Sequence, residues 1–115
     1  MKHTALEGIV AEHIEAINAG DIDRTAATFV HDAYINDNRR EFIGIDAIHD
    51  WVAHEVVSQK VTIDVHEVFD QHGDTVVRLA YDGAFDKTGL PEEIVMTNYF
   101  SVCDGKIVSL IIMFS

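Results

Sequence analysis

Apolar residues recur at three- and four-residue steps from Leu6 through Ile9, Val10, Ile14 and Ile17, which makes one face of a helix. His13 falls on that face, while Glu7, Glu12 and Glu15 turn towards water. Thr4 and Glu7 have the spacing of a capping box, so the helix is predicted to open there. Asn18-Ala19-Gly20 should end it, because glycine takes the left-handed cap conformation without strain. Asp21 then caps a short second helix with Ile22, Ala26, Phe29 and Val30 on its apolar side, ending near His31-Asp32. The pattern next predicts a brief strand over 33–36, a turn over 37–40 and another short extended piece over 41–44. Asp46 should cap a third helix, on which Ala47, Ile48, Trp51, Val52, Glu55 and Val56 share a face.

From Lys60 the period changes to two. Val61, Ile63 and Val65 alternate with Thr62, Asp64 and His66 in a strand reaching about Asp70, and His72-Gly73-Asp74 signals a hairpin. Further strands are predicted over 75–85, 92–102 and 107–114, the last two joined by a turn at Asp104-Gly105-Lys106. Helices followed by long antiparallel strands define an α+β domain with the helices packed on one face of a sheet. The last strand, IVSLIIMF, is apolar at both parities, which predicts cover on both faces. Helices supply one cover, and a second copy of the chain through the outer sheet face is the expected other, a homodimer.

At 115 residues the chain is read as a single domain, 1–115, long enough to bury a core without disulfides. Twenty acidic residues against eight basic ones give a net charge of −12. That field repels phosphate backbones and anionic lipid, so neither nucleic acid nor membrane is an expected partner. An apolar small molecule suits the balance better. The N-terminal segment lacks the basic and apolar regions of a secretion signal, and Cys103 is the only cysteine, so a cytoplasmic location is expected. His49 and His54 are five apart and do not share a helical face, and the other histidines show no ligand spacing. No metal and no cofactor is therefore expected.

The segments INAGDID (17–23), TFVHDAYIND (28–37), EFIGIDAI (41–48) and SVCDGKIVSL (101–110) resemble the nuclear-transport-factor-2-like superfamily, in particular its SnoaL-like and ketosteroid-isomerase-like members. The resemblance implies a cone-shaped, cystatin-like half-barrel: three helices on a strongly curved antiparallel sheet enclosing one largely apolar pocket. It also implies a cofactor-free isomerase or cyclase that abstracts a proton next to a carbonyl. In HDAYIND the general base would be Asp37, five residues beyond Asp32. The donor on the penultimate strand, an aspartic acid in the isomerases, would be Asn98. The position of the donor tyrosine on the first helix holds His13, a neutral form of which could donate one ring N–H. Tyr34, Trp51, Met96 and Phe100 would line the substrate pocket. The epoxide-hydrolase branch is rejected, because Arg78 and Asp82 lie four apart rather than two and the last strand has no acid.

The same residues carry plainer readings. Asp37 beside Asn38 could be a turn aspartate bonding its own backbone, and Asn98 could bond a neighbouring strand. The rival function is a binding or dimerisation module that uses the cone without chemistry.

Overall fold

In the computed structural model, which describes residues 2–3 and 6–114, the first helix, α1, spans Gly8–Asn18 and buries Val10, His13, Ile14, Ala16 and Ile17. Thr4 of the expected capping box lies outside the described residues, and the helix begins after Glu7 with no side-chain cap. Its end is a Schellman closure: the Gly20 N–H reaches the Ile17 carbonyl (2.9 Å) and the Asp21 N–H the Ala16 carbonyl (3.1 Å), with Gly20 at φ +67°. Asn18, in the last turn, clamps the sheet. Its amide donates to the Ile63 carbonyl (3.0 Å) and its oxygen accepts from the Ile63 N–H (2.7 Å), as a neighbouring strand would.

Asp21 caps α2 (Ile22–Ala26) through its carboxylate, which accepts from the Arg24 N–H at 3.0 Å. This helix is shorter than the apolar spacing implied. The Thr25 and Thr28 hydroxyls turn back onto the carbonyls of Asp21 and Thr25, and Phe29 and Val30 already belong to strand β2 (Phe29–Asp37). A tight turn at Asn38-Arg39, both at positive φ, leads to β3 (Arg40–Ile43) and pairs Asp37 with Arg40.

The third helix is capped differently from the expectation. Gly44, not Asp46, occupies the cap of α3 (Ile45–Trp51), at φ 88° and ψ 159°, and no side chain bonds there. Asp46 instead lies in the first turn, where its charge still suits the helix dipole. The helix then widens into a π-helical stretch over Val52–Val57 that periodicity did not announce.

The sheet contains β1 (Lys2–His3), β4 (Thr62–Gln71), β5 (Asp74–Asp82), β6 (Ile94–Cys103) and β7 (Lys106–Phe114) besides β2 and β3. Their order is β1-β4-β5-β6-β7-β2-β3. All neighbours are antiparallel except β2 and β7, which run parallel, so the sheet is mixed rather than purely antiparallel. Register irregularities within β4–β5, β6–β7 and β2–β7 mark where the strands bend. The sheet stays open and curls over the helices as a half-barrel. Val10, Ile14, Ile35, Ile48, Val52, Val77, Leu79, Phe100, Ile107 and Leu110 fill the space between the two layers.

Candidate active site

The site begins with the alternation of β2. Ala33 and Ile35 are buried, so Asp37, two residues on, faces the same side of the sheet. The strand is pinned where it delivers this residue. The Asn38 N–H donates to the Ile112 carbonyl (3.0 Å), and the Asn38 side-chain oxygen accepts from the Phe114 N–H (3.0 Å).

Asp37 stands where two spaces meet. An inner cavity open to about 40 Å³ of water-sized space is lined by His13, Trp51, Leu79, Tyr81, Met96, Asn98 and Asp37, among others. An outer pocket of about 420 Å³ is lined by Arg40, Glu55, Phe85, Leu90 and Phe114, and it shares Asp37, Tyr81 and Met96 with the inner one. The Asp37 side chain is 16% exposed. Three donors engage its carboxylate: Arg40 Nη2 at 2.8 Å and Trp51 Nε1 at 3.1 Å on Oδ2, and Asn38 Nδ2 at 3.1 Å on Oδ1. Arg40 also bonds Glu55 at 2.7 Å. Its guanidinium lies 5.7 Å from the Phe42 ring centroid, and Phe42 in turn packs beside Trp51. The bond from Glu55 is the largest influence holding the Arg40 charge firmly in place.

Tyr81, on β5, escaped the sequence reading. Burial first, then the negative charges of Asp37 and Glu55, push its phenol up to about 12. It therefore stays a protonated donor across the physiological range, and among the described residues its hydroxyl has no hydrogen-bond partner. The signal was available: Val77, Leu79 and Tyr81 occupy one parity of a strand whose buried face the first two define. Arg40 was legible too, as the residue opposite Asp37 across a two-residue turn.

The remaining expected residues divide. Trp51 and Met96 line the cavity as expected, and Trp51 does more by donating to Asp37. Phe100 is fully buried but backs His13, with ring centroids 5.4 Å apart, rather than lining either space. Tyr34 has the wrong parity. It sits on the opposite face of β2 from Asp37, where its hydroxyl donates to Glu41 at 2.6 Å and accepts from Asn36 at 3.1 Å. Asn98 and His13 both line the inner cavity. His13 is fully buried, its Nδ1 lies 3.1 Å from the Thr28 hydroxyl, and desolvation lowers its pKa to about 3. Desolvation keeps the ring neutral, and because the Thr28 hydroxyl gives its proton to the Thr25 carbonyl at 2.6 Å, Nδ1 is the nitrogen placed to donate to it. His13 thus lines the inner cavity with its Nδ1 turned to Thr28.

Residues 10–110 match the SnoaL-like domain family, and the chain belongs to it. Among solved structures, a Sinorhizobium meliloti protein provisionally assigned as a polyketide cyclase shares 25% identity over 94% of this chain and 95% of its own, with a TM-score of 0.83. The epoxide hydrolase/cyclase-like enzyme SalBIII, of pyran ring formation in salinomycin, shares 24% over 93% of this chain and 88% of its own (TM-score 0.81). A Catenulispora acidiphila protein with a ketosteroid-isomerase-like fold, bound to trimethylamine, shares 15% over 96% and 88% (TM-score 0.81). At these identities the second and third likenesses speak for the fold alone. Comparison with the curated proteins gives no match.

Proposed function

We propose that the protein is a cofactor-free isomerase or cyclase that moves a proton beside the carbonyl of a largely apolar small molecule. The supporting observation is the placement of Asp37: it stands at the junction of the two cavities, in the strand register the resemblance assigns to a base. The substrate body would occupy the outer pocket among Phe85, Leu90, Ile94 and Phe114. The Asp37 carboxylate takes a proton from the carbon next to the carbonyl, and the C–H electron pair passes into the carbonyl as an enolate. The Tyr81 hydroxyl donates to the enolate oxygen, replacing His13 in the role expected of it. Where the ketone is β,γ-unsaturated, Asp37 then returns its proton to the γ-carbon of the dienolate, and the double bond moves into conjugation with the carbonyl. In a cyclisation the enolate carbon attacks a second carbonyl, whose oxygen receives the proton. Arg40 must release Asp37 at the first step, and its bond to Glu55 gives it a place to stay.

That same ion pair supports a second reading, a binding module in which Arg40 and Asp37 simply close the mouth. Turnover of a panel of apolar ketones, ketosteroids and polyketide-like ketones included, by the wild type and two variants separates them. Asp37→Asn should lower kcat by about 100-fold or more, as loss of a general base does. Tyr81→Phe should lower it less and leave KM nearly unchanged. Undiminished turnover in Asp37→Asn refutes the base assignment, and saturable binding without turnover by any form favours the module.

We also propose that the chain pairs with a second copy through the outer sheet face, where Ile111 and Met113 of β7 are 37% and 52% exposed.

A further inference from the structure

The hydrogen-bond inventory of the inner cavity is one-sided. The Thr28 hydroxyl has one proton and gives it to the Thr25 carbonyl at 2.6 Å, so towards His13 Nδ1 it can only accept. The proton of the neutral His13 ring therefore sits on Nδ1, which leaves Nε2 a bare acceptor. Nε2 is buried and has no partner among the described residues, and the same is true of Asn98 Oδ1. No hydrogen bond joins these two residues, yet both line the cavity, whose other walls are mostly Ile17, Val56, Val61, Leu79 and Leu110. A buried acceptor in such a wall is costly unless a donor from outside the protein meets it.

We infer that the inner cavity is a subsite for a hydroxyl group on the substrate, which donates to His13 Nε2 while its oxygen accepts from the turned side-chain amide of Asn98. The two ends of an amide nearly match in shape, so Asn98 supplies a donor or an acceptor by rotation, whereas His13 has no such choice. A carbonyl, ether or oxyanion placed there would set a lone pair against Nε2. The space is small, about 40 Å³ open to water-sized probes, which suits the hydroxyl end of a substrate and the carbon that bears it. The substrate class is thus an elongated apolar hydroxy-ketone: hydroxyl inwards, reacting carbonyl at the mouth. The identity of the reacting end rests on the proton-transfer reading; the hydroxyl subsite does not.

The test uses 4-phenylbutan-2-ol and 4-phenylbutan-2-one, which share a skeleton and differ in the donor. Calorimetry should give the alcohol about tenfold tighter binding than the ketone, with the ratio falling to about one in His13→Leu and Asn98→Leu. Ring nitrogen NMR of the wild type reads the same point without a variant. His13 should show Nδ1–H and a bare Nε2, and Nε2 should shift as the alcohol binds. A proton on Nε2, equal or tighter ketone binding, or an Nε2 signal that ignores the alcohol overturns the inference and leaves a water-filled structural cavity only. In Asp37→Asn the alcohol preference should persist, so the subsite and the proposed catalysis fail separately.

Discussion

At the scale of single residues, the tautomer of His13 decides more than its position does. Sequence spacing placed this histidine correctly on the inner face of α1, but it could not show that Thr28 spends the ring N–H. That fact depends on a contact across 15 residues. The HDAYIND register of the family resemblance singled out Asp37, while Tyr34, three residues before it, falls on the opposite face of any strand that holds both. His13 also makes stability depend on pH. The unfolded ring takes up a proton near pH 6.5, whereas the folded ring resists it until about 3. The unfolded state thus binds more protons between those values, and stability falls as the pH falls through that window. From pH 7 to pH 5 the loss from this group should be about 2 kcal/mol. Urea titrations of the wild type and His13→Leu should show the variant with the shallower pH dependence.

At the scale of elements, the long strands β4 to β7 were read to within a few residues because period two is unambiguous, and β2 and the helix ends less well because local hydrogen bonds settled them. Gly44 shows the difference. Its φ of 88° with ψ of 159° lies in a region that in practice only glycine occupies, although a Cβ there would meet nothing within 4 Å. Gly44→Ala should therefore destabilise the fold by about 1–3 kcal/mol through backbone strain alone, measurable by chemical denaturation. The strain would fall on the junction that swings α3 over β2 and sets Trp51 against Asp37. The π-helical continuation of α3 carries Glu55 to Arg40, so one helix supplies both Trp51, which donates to Asp37, and Glu55, which accepts from Arg40. No periodicity of hydrophobic residues encodes that widening.

At the scale of the molecule, the fold class followed from the order of elements and the family from the resemblance of four segments, but the parallel β2–β7 pair followed from neither, since pairing direction is set by the crossover and not by either strand's pattern. The outer sheet face supplies the corresponding prediction. Met113→Glu should shift the proposed dimer to monomer in sedimentation, with the inner cavity unaffected; a wild type already monomeric at high concentration would dispose of the pairing. A chain of net charge −12 repels its own copy, so the same pairing should strengthen as ionic strength rises.

The staple between Asn38 and β7 carries one more consequence, for the order of events during synthesis. Asp37 leaves the ribosome well before the strand that seats it, since the bonds come from Ile112 and Phe114, some seventy-five residues later. Helices α1 to α3 can form beforehand, while the site waits for the last strand to slot between β6 and β2. The nascent chain thus carries its candidate base unseated until β7 has emerged, and the pocket is assembled in the same step that places this strand in the sheet.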